Sequence, residues 1–551
     1  MTISALQAER AKYQPKLPHS LKSSVKLVEG DKTQSVADQE SIKDLFPNTY
    51  GMPLITFEPS DEKIKYPPVN VGVILSGGQA PGGHNVIAGI FDGIKNLNQE
   101  SKLYGFLGGP IGLVNHSYKE LTAEIIDEYR NTGGFDIIGS GRTKLEETAQ
   151  FDEGVKILHK LNINALIIIG GDDSNTNACV LAEYYAAKKT GIQVIGCPKT
   201  IDGDLKNEMI ETSFGFDTAT KVYSELIGNI QRDANSGKKY WHFIKLMGRS
   251  ASHIGLECAL QTQSNITLIS EEVAAKEQTL SEIVDYMAGI VAKRAANDEN
   301  FGVALIPEGL VEFVPEMKIL ISELNELLAE GSAIEKEFNM MRKSLRLDWL
   351  ATHLSEKSAA VFQSLPTGIA TQLTLDRDPH GNVQVSLIDT EELLGEMVKT
   401  KLSEMREAGI FNGKFGTQYH FFGYEGRCAA PSNFDADYCY SLGYNASFLI
   451  VEGKTGYMSS IRNLTAPARE WVAGGVPITM MMNMERRNGH MKPVIQKALV
   501  DLDGEPFKYL MANREKWANK TSFVYPGPIQ YWGPTEVCDQ PTKTITLERA
   551  K

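Results

Sequence analysis

Asp172 and Asp173 stand at the end of an apolar run and two glycines, in 166-LIIIGGDDSNTNA-178. Glycines between a strand and a helix N-terminus leave backbone N–H groups free to cradle phosphate. Two negative charges at that point call for a different partner. A carboxylate at a strand end can hold Mg²⁺, which takes one or two protein carboxylates and keeps several waters. The plainer alternative is an aspartate N-cap, favoured by the helix dipole, and a consecutive pair suits a cap less well. In 198-PKTIDGD-204, Lys199, Thr200, Asp202 and Asp204 put a cation, a hydroxyl and two carboxylates within a few residues. A carboxylate there can accept the proton of a substrate hydroxyl, although Asp-Gly is also a turn pair.

Basic and glycine-rich stretches accompany them. In 75-LSGGQAPGGHN-85, Gly77, Gly78, Gly82 and Gly83 allow backbone to approach a phosphate. In 139-GSGRTK-144, Arg142 and Lys144 suit phosphate oxygens, or form a solvated basic turn. Arg249 in 238-KKYWHFIKLMGRS-250, the stretch 306-IPEGL-310, and Tyr424 and Arg427 in 423-GYEGRC-428 repeat the theme. Recurring arginine and lysine point to a sugar-phosphate site with more than one anionic group. Tyr240 and Trp241 fit a core equally well.

The elements that position these residues alternate. Val71–Leu75, Ala165–Ile169 and Gln193–Gly196 are short apolar runs, each closed by a polar motif. Tyr240–Leu246 precedes Met-Gly-Arg, and Phe301–Ile306 precedes Pro-Glu-Gly. Apolar runs between amphipathic segments predict parallel strands buried on both faces, and motifs past strand C-termini are where open α/β sheets bind ligands. Over 311–405 the pattern changes. Met317, Leu320, Ile321, Leu324, Leu327 and Leu328 fall at helical spacing, and Asp389–Thr390 with Glu391 and Glu392 marks another helix start. This predicts a helical insertion packed as an accessory layer, without chemistry of its own.

The chain has 551 residues, 42% of them hydrophobic, enough for two domains plus insertions. A net charge of −13 argues against general nucleic-acid binding. Six cysteines without a C-x-x-C pair indicate neither a disulfide framework nor a zinc site. No apolar run reaches membrane-spanning length, and the N-terminus has no apolar signal core. These features predict a cytoplasmic enzyme with no membrane contact. The expected organisation is an N-terminal arm over 1–66, a first α/β domain over 67–213, a second over 214–423 that includes the helical insertion, and a C-terminal extension over 481–551.

Taken in order, GGQAPG, GSGR, GGDD, PKTIDGD, MGR, PEG and GYEGR resemble the phosphofructokinase family, and within it the long pyrophosphate-dependent branch. The resemblance runs from about Val71 to Ala446, and it implies that 67–213, with a return segment at about 424–480, is the phosphoryl-donor domain and 214–423 the sugar-phosphate domain. It implies an α/β protein of two Rossmann-like three-layer domains with parallel-rich sheets, acting with Mg²⁺ on fructose 6-phosphate and pyrophosphate as a homodimer. By the same resemblance Gly77 contacts the donor, Asp172 binds the metal, Arg142 contacts the transferring phosphoryl group, and Asp202 is the base. Thr200 and Ile201 line the sugar, as do Met247, Gly248, Arg249 and Glu308. Tyr424, Glu425, Gly426 and Arg427 form the loop at the 6-phosphate end, while Lys239 and Tyr240 serve a neighbouring subunit. ATP-using relatives carry glycine where this chain has Asp173 and Lys199. Asp173 is therefore expected to repel and displace an α-phosphate, and Lys199 to stabilise charge on the transferring or leaving phosphate. The rival readings are an ATP-dependent kinase, a silent regulatory subunit, and a different GGDG-type kinase acting on NAD or lipid, which would not explain MGR, PEG and GYEGR in this order.

Overall fold

The computed structural model describes residues 5–62, 64–329, 331–375, 383–487, 490–529 and 533–550. Its strands in chain order are β1 (Ser24–Lys32), β2 (Pro53–Ser60), β3 (Asn70–Leu75), β4 (Lys102–Phe106), β5 (Tyr118–Glu120), β6 (Ala165–Gly170), β7 (Gln193–Thr200), β8 (Phe214–Gly215), β9 (Trp241–Leu246), β10 (Ile266–Thr267), β11 (Gly302–Pro307), β12 (Thr417–Phe422), β13 (Tyr457–Arg462), β14 (Val472–Pro477), β15 (Met482–Arg487) and β16 (His490–Ile495). The chain divides into two compact units. Unit 1 comprises Met1–Val222, Tyr424–Ala498 and Ile529–Lys551, and unit 2 comprises Tyr223–Gly423 and Leu499–Pro528.

Unit 1 is built on a mixed sheet in the order β1-β2-β14-β13-β7-β6-β3-β4-β5, with β8 added beside β7. Its centre, β13-β7-β6-β3-β4, is parallel. β6 is buried along its whole length, as expected for a parallel strand covered on both faces. Ile168, Val194 and Phe106 on the sheet share a core with Ala178, Leu181 and Leu158 from the flanking helices, where each aliphatic side chain contributes about 1.5–3 kcal/mol. The return segment locks on through glycines. The helix Asn433–Val451 crosses the helix Gly83–Leu97 so closely that a methyl group at Gly89 would overlap the Tyr440 carbonyl, and one at Gly443 the Val86 carbonyl.

Two features differ from the sequence expectation. The arm expected over 1–66 supplies β1 and β2, which join the sheet edge through β14, with Gly474 opposite Thr56 and Gly475 opposite Ile55. Residues 499–528 lie in unit 2, so the expected 481–551 extension is divided between the units. β7 also outruns the apolar stretch that announced it. Pro198, which has no N–H to donate, falls at the last register position against β6, opposite Gly170. Beyond it Lys199 and Thr200 pair with β8 instead.

Unit 2 carries an all-parallel sheet in the order β10-β11-β9-β12. Met317, Leu320, Ile321, Leu324 and Leu328 bury against a core that includes Trp241, Phe243, Ala304 and Ile306. The described part of the helical insertion is thus a packed layer on this sheet. The helix Thr390–Glu407 starts where Asp389–Thr390 announced it, although the Asp389 side chain makes no capping bond. No described helix is long and apolar enough to cross a membrane.

Candidate active site

In unit 1 two backbone hydrogen bonds fix the loop after β3. Ser76 N–H donates to the Ile169 carbonyl at 2.8 Å, and Gly77 N–H to the Gly141 carbonyl at 2.9 Å. Gly77 has φ +84°, which favours glycine. Three cations surround this loop. A Cβ at Gly77 would stand 3.5 Å from Lys199 Nζ, and one at Gly78 would stand 3.7 Å from Arg142 Nη2 and 4.0 Å from Arg427 Nη1.

Lys199 comes from the end of β7 and is 6% exposed. Burial pulls its ammonium down to about 8, with Arg142 and Arg427 adding to the effect and Asp202 and Asp172 opposing it. A cation held at this cost is relieved by an incoming polyanion. Arg427 belongs to the one-turn helix Tyr424–Arg427; its guanidinium lies 4.9 Å from the Tyr424 ring centre, and its buried Nε has no hydrogen-bond partner among the described residues. Tyr424 and Glu425 are exposed and Gly426 is buried. Within unit 1 its guanidinium neighbours the same glycine, Gly78, as Arg142.

Across from the cations stand carboxylates. Gly171 is the N-cap of the helix Asp172–Ala187, so neither Asp172 nor Asp173 is the cap. Asp173, exposed, pairs with Lys144 at 3.3 Å. Lys497 Nζ lies 3.6 Å from Asp172 Oδ2 and 3.8 Å from Asp204 Oδ2. The Asp204 carboxyl is pushed up to about 7 by burial and then by Asp202, with Asp172 adding to it and Lys497 opposing. The Asp202 N–H donates to Thr200 Oγ1 at 3.0 Å, which ties the turn back onto β7, and Ile201 beside it is buried. Lys497 is the residue that sequence reasoning missed. A single lysine in 494-VIQKALV-500 carries no local pattern.

Unit 2 forms the second cluster at the ends of β9 and β11. Gly248 has φ +124°, and its N–H donates to Glu308 Oε2 at 3.0 Å. Glu308 N–H donates to the Leu246 carbonyl at 2.9 Å. Burial raises the Glu308 carboxyl. Arg249 pairs with Glu312 at 3.0 Å, and a methyl group at Gly309 would overlap the Arg249 carbonyl. Met247, Gly248, Arg249 and Glu308 are therefore one constellation. Lys239 and Tyr240 are not part of it. They are exposed and precede β9, so the strand's length, ~20 Å at about 3.3 Å per residue, separates them from Arg249.

Oxygen donors on Asp172, Asp202 and Asp204 suit a hard divalent cation, and their mutual repulsion, visible in the raised Asp204 carboxyl, is relieved by one. Among the described residues no three His, Cys, Asp or Glu side chains are placed to hold one ion together.

Comparison with known proteins adds the following. A family model described as Phosphofructokinase matches residues 70–450. A protein of Porphyromonas gingivalis named pyrophosphate–fructose 6-phosphate 1-phosphotransferase is 63% identical over 549 residues, covering 100% of both chains. An Arabidopsis thaliana protein named subunit beta 1 of that enzyme is 51% identical over 99% of this chain and 94% of its own. A Marinobacter aquaeolei pyrophosphate-dependent phosphofructokinase structure shares the fold at 17% identity and TM-score 0.53, over 84% of this chain and 94% of that one.

Proposed function

This chain belongs to the phosphofructokinase family, and we propose that it transfers a phosphoryl group reversibly from pyrophosphate to O1 of fructose 6-phosphate, releasing phosphate. The observation that carries the reading is Asp173 in the first turn of the helix Asp172–Ala187, beside the donor loop ringed by Lys199, Arg142 and Arg427. Three cations match the charge of a compact polyanion. The Asp173 carboxylate opposes any donor whose phosphate chain continues past the second phosphate.

Gly77 and Lys199 bind the donor, and Arg142 holds the transferring group with Arg427 beside it. Asp202 takes the proton from the sugar hydroxyl as the oxygen attacks in line. Thr200 and Ile201 shape the sugar's seat. Met247, Gly248, Arg249, Glu308, Tyr424, Glu425, Gly426 and Arg427 provide the remaining sugar-phosphate contacts. Asp172 would hold Mg²⁺, with Asp204 beside it. The ion supplies charge neutralisation on the phosphate oxygens. Lys239 and Tyr240 serve the site of a second copy, which their separation from Arg249 supports, so the working unit is a homodimer. The protein is assigned to the cytoplasm, in keeping with the free thiols among its described cysteines. No nucleic acid or membrane takes part.

A coupled assay with fructose 6-phosphate and Mg²⁺, supplied with pyrophosphate or ATP, tests the reading. Turnover with pyrophosphate alone is expected. Turnover with ATP would restore the ATP-dependent alternative, and silence with both would favour a regulatory subunit.

A further inference from the structure

β9 is buried along its whole length, yet it carries Lys245 one residue before its end. A parallel strand covered on both faces normally holds aliphatic residues, and lysine is almost never fully buried unless paired. Lys245 is 2% exposed. Its Nζ donates to the Ile388 carbonyl at 2.9 Å, and lies 3.2 Å from Glu391 Oε2 and 3.5 Å from Asp389 Oδ1. The ammonium also stands 4.8 Å from the centre of the Phe421 ring on β12. Ile388, Asp389 and Glu391 mark the start of the helix Thr390–Glu407. One ammonium therefore ties the end of β9 to the helical insertion. That strand end carries the sugar cluster. The Leu246 carbonyl accepts the Glu308 N–H at 2.9 Å, and Gly248 N–H donates to Glu308 Oε2 at 3.0 Å. Burial raises the Glu308 carboxyl, Gly248 N–H, Lys245 and Arg249 oppose it, and Glu312 adds to it.

We propose that Lys245 is a positioning residue for the sugar site: it pins the end of β9 to the start of the helix Thr390–Glu407, and so holds Met247, Gly248, Arg249 and an ionised Glu308 in the arrangement that receives fructose 6-phosphate. The inference rests on the reading of Glu308 as a sugar contact. An ionised carboxylate only accepts hydrogen bonds, whereas a protonated one presents a hydroxyl in place of one acceptor. A buried carboxyl keeps its charge only with a cation or N–H donors beside it. Arg249 is shared with Glu312 at 3.0 Å, and Lys245 is fixed in place by the insertion. The helical layer thereby acts on the sugar through one lysine, without itself having to reach the ligand.

The test is calorimetric titration of the full chain with fructose 6-phosphate and, separately, with pyrophosphate and Mg²⁺, at about pH 6 and about pH 8. The variants are Lys245→Met, Lys245→Met with Glu391→Gln, and Glu308→Gln. The double variant matters because Lys245→Met alone leaves the Glu391 carboxylate buried and unpaired, which can unfold the chain. In the double variant the Kd for fructose 6-phosphate should rise at least about tenfold, the worth of one hydrogen bond to a charged group. The loss relative to the unaltered chain should be larger at the lower pH, where Glu308 protonates more readily without its cation. The Kd for pyrophosphate should change by less than about twofold, since none of the bonds removed belongs to its cluster. Equal losses for both ligands, or a loss that does not depend on pH, would show general weakening and overturn the proposal. If Glu308→Gln weakens sugar binding while the double variant binds as tightly as the unaltered chain, the role of Lys245 is overturned and the sugar site stands. If Glu308→Gln leaves sugar binding intact, the reading of the site fails, and the proposal with it.

Discussion

Replacing Lys199 by methionine should make this protein more stable and far less active. The side chain is 6% exposed, and its ammonium is held down to about 8 from an ordinary 10.5. Below pH 8 the folded protein carries a buried ammonium that the unfolded chain would hold in water. Holding the ammonium down to about 8 corresponds to roughly 3 kcal/mol of stability forgone. The sign follows from proton counts. Between pH 8 and 10.5 the unfolded chain binds more protons at this position, so the wild-type protein gains stability as pH rises through that window. Methionine has nearly the same length and no charge, so Lys199→Met should gain up to about 3 kcal/mol at pH 7. That advantage should shrink as pH climbs past 8. Urea unfolding at pH 7 and pH 9.5 reads both quantities. Turnover with pyrophosphate should fall by about 10²–10³, the usual loss for one preorganised charge-stabilising group. A variant that is less stable at pH 7, or whose advantage does not depend on pH, would refute the electrostatic reasoning. Retained turnover would refute the proposed role.

Other perturbations follow from the same geometry. Asp202→Asn should abolish turnover at saturating substrate while the chain still folds, because the residue's backbone N–H, which the substitution keeps, ties the turn to Thr200; far-UV circular dichroism beside the coupled assay checks this. Gly309→Ala should displace the Arg249 carbonyl it would overlap, costing about 1–3 kcal/mol of stability and raising the KM for fructose 6-phosphate more than that for the donor. Asp437, buried beneath Tyr13 and Lys16, has its carboxyl pushed up to about 7 by burial. Its contribution is present below pH 4 and is lost as pH rises through 7, so Asp437→Asn should flatten the fall in thermal midpoint between pH 5 and pH 8.

What the sequence discloses and what it conceals divide along a physical line. Motifs whose residues are neighbours in the chain are legible, because a strand end followed by Gly-Gly-Asp-Asp or Lys-Thr-Ile-Asp fixes its own geometry. The helical insertion is legible through the spacing of Met317, Leu320, Ile321 and Leu324, which all turn inward. Contacts closed over long chain separations are not. β2 meets β14 from some four hundred residues away, and its alternation carries no mark of its partner. Lys497 reaches Asp172 in the same way, from a segment with no motif. Arg427 was legible as an anion ligand, but not as a neighbour of Arg142, since only the packing of the return segment brings it to Gly78.

The central claim is that Asp173 and Lys199 select a two-phosphate donor. The measurement that tests it most directly is kcat/KM for pyrophosphate and for ATP, in the wild-type chain and in Asp173→Gly with Lys199→Gly. The account predicts that the ratio of pyrophosphate to ATP use falls at least about a hundredfold in the double variant, because removing a like-charge clash is worth several kcal/mol. ATP use should rise in absolute terms. An unchanged ratio, or a loss of both activities with no gain for ATP, would contradict it.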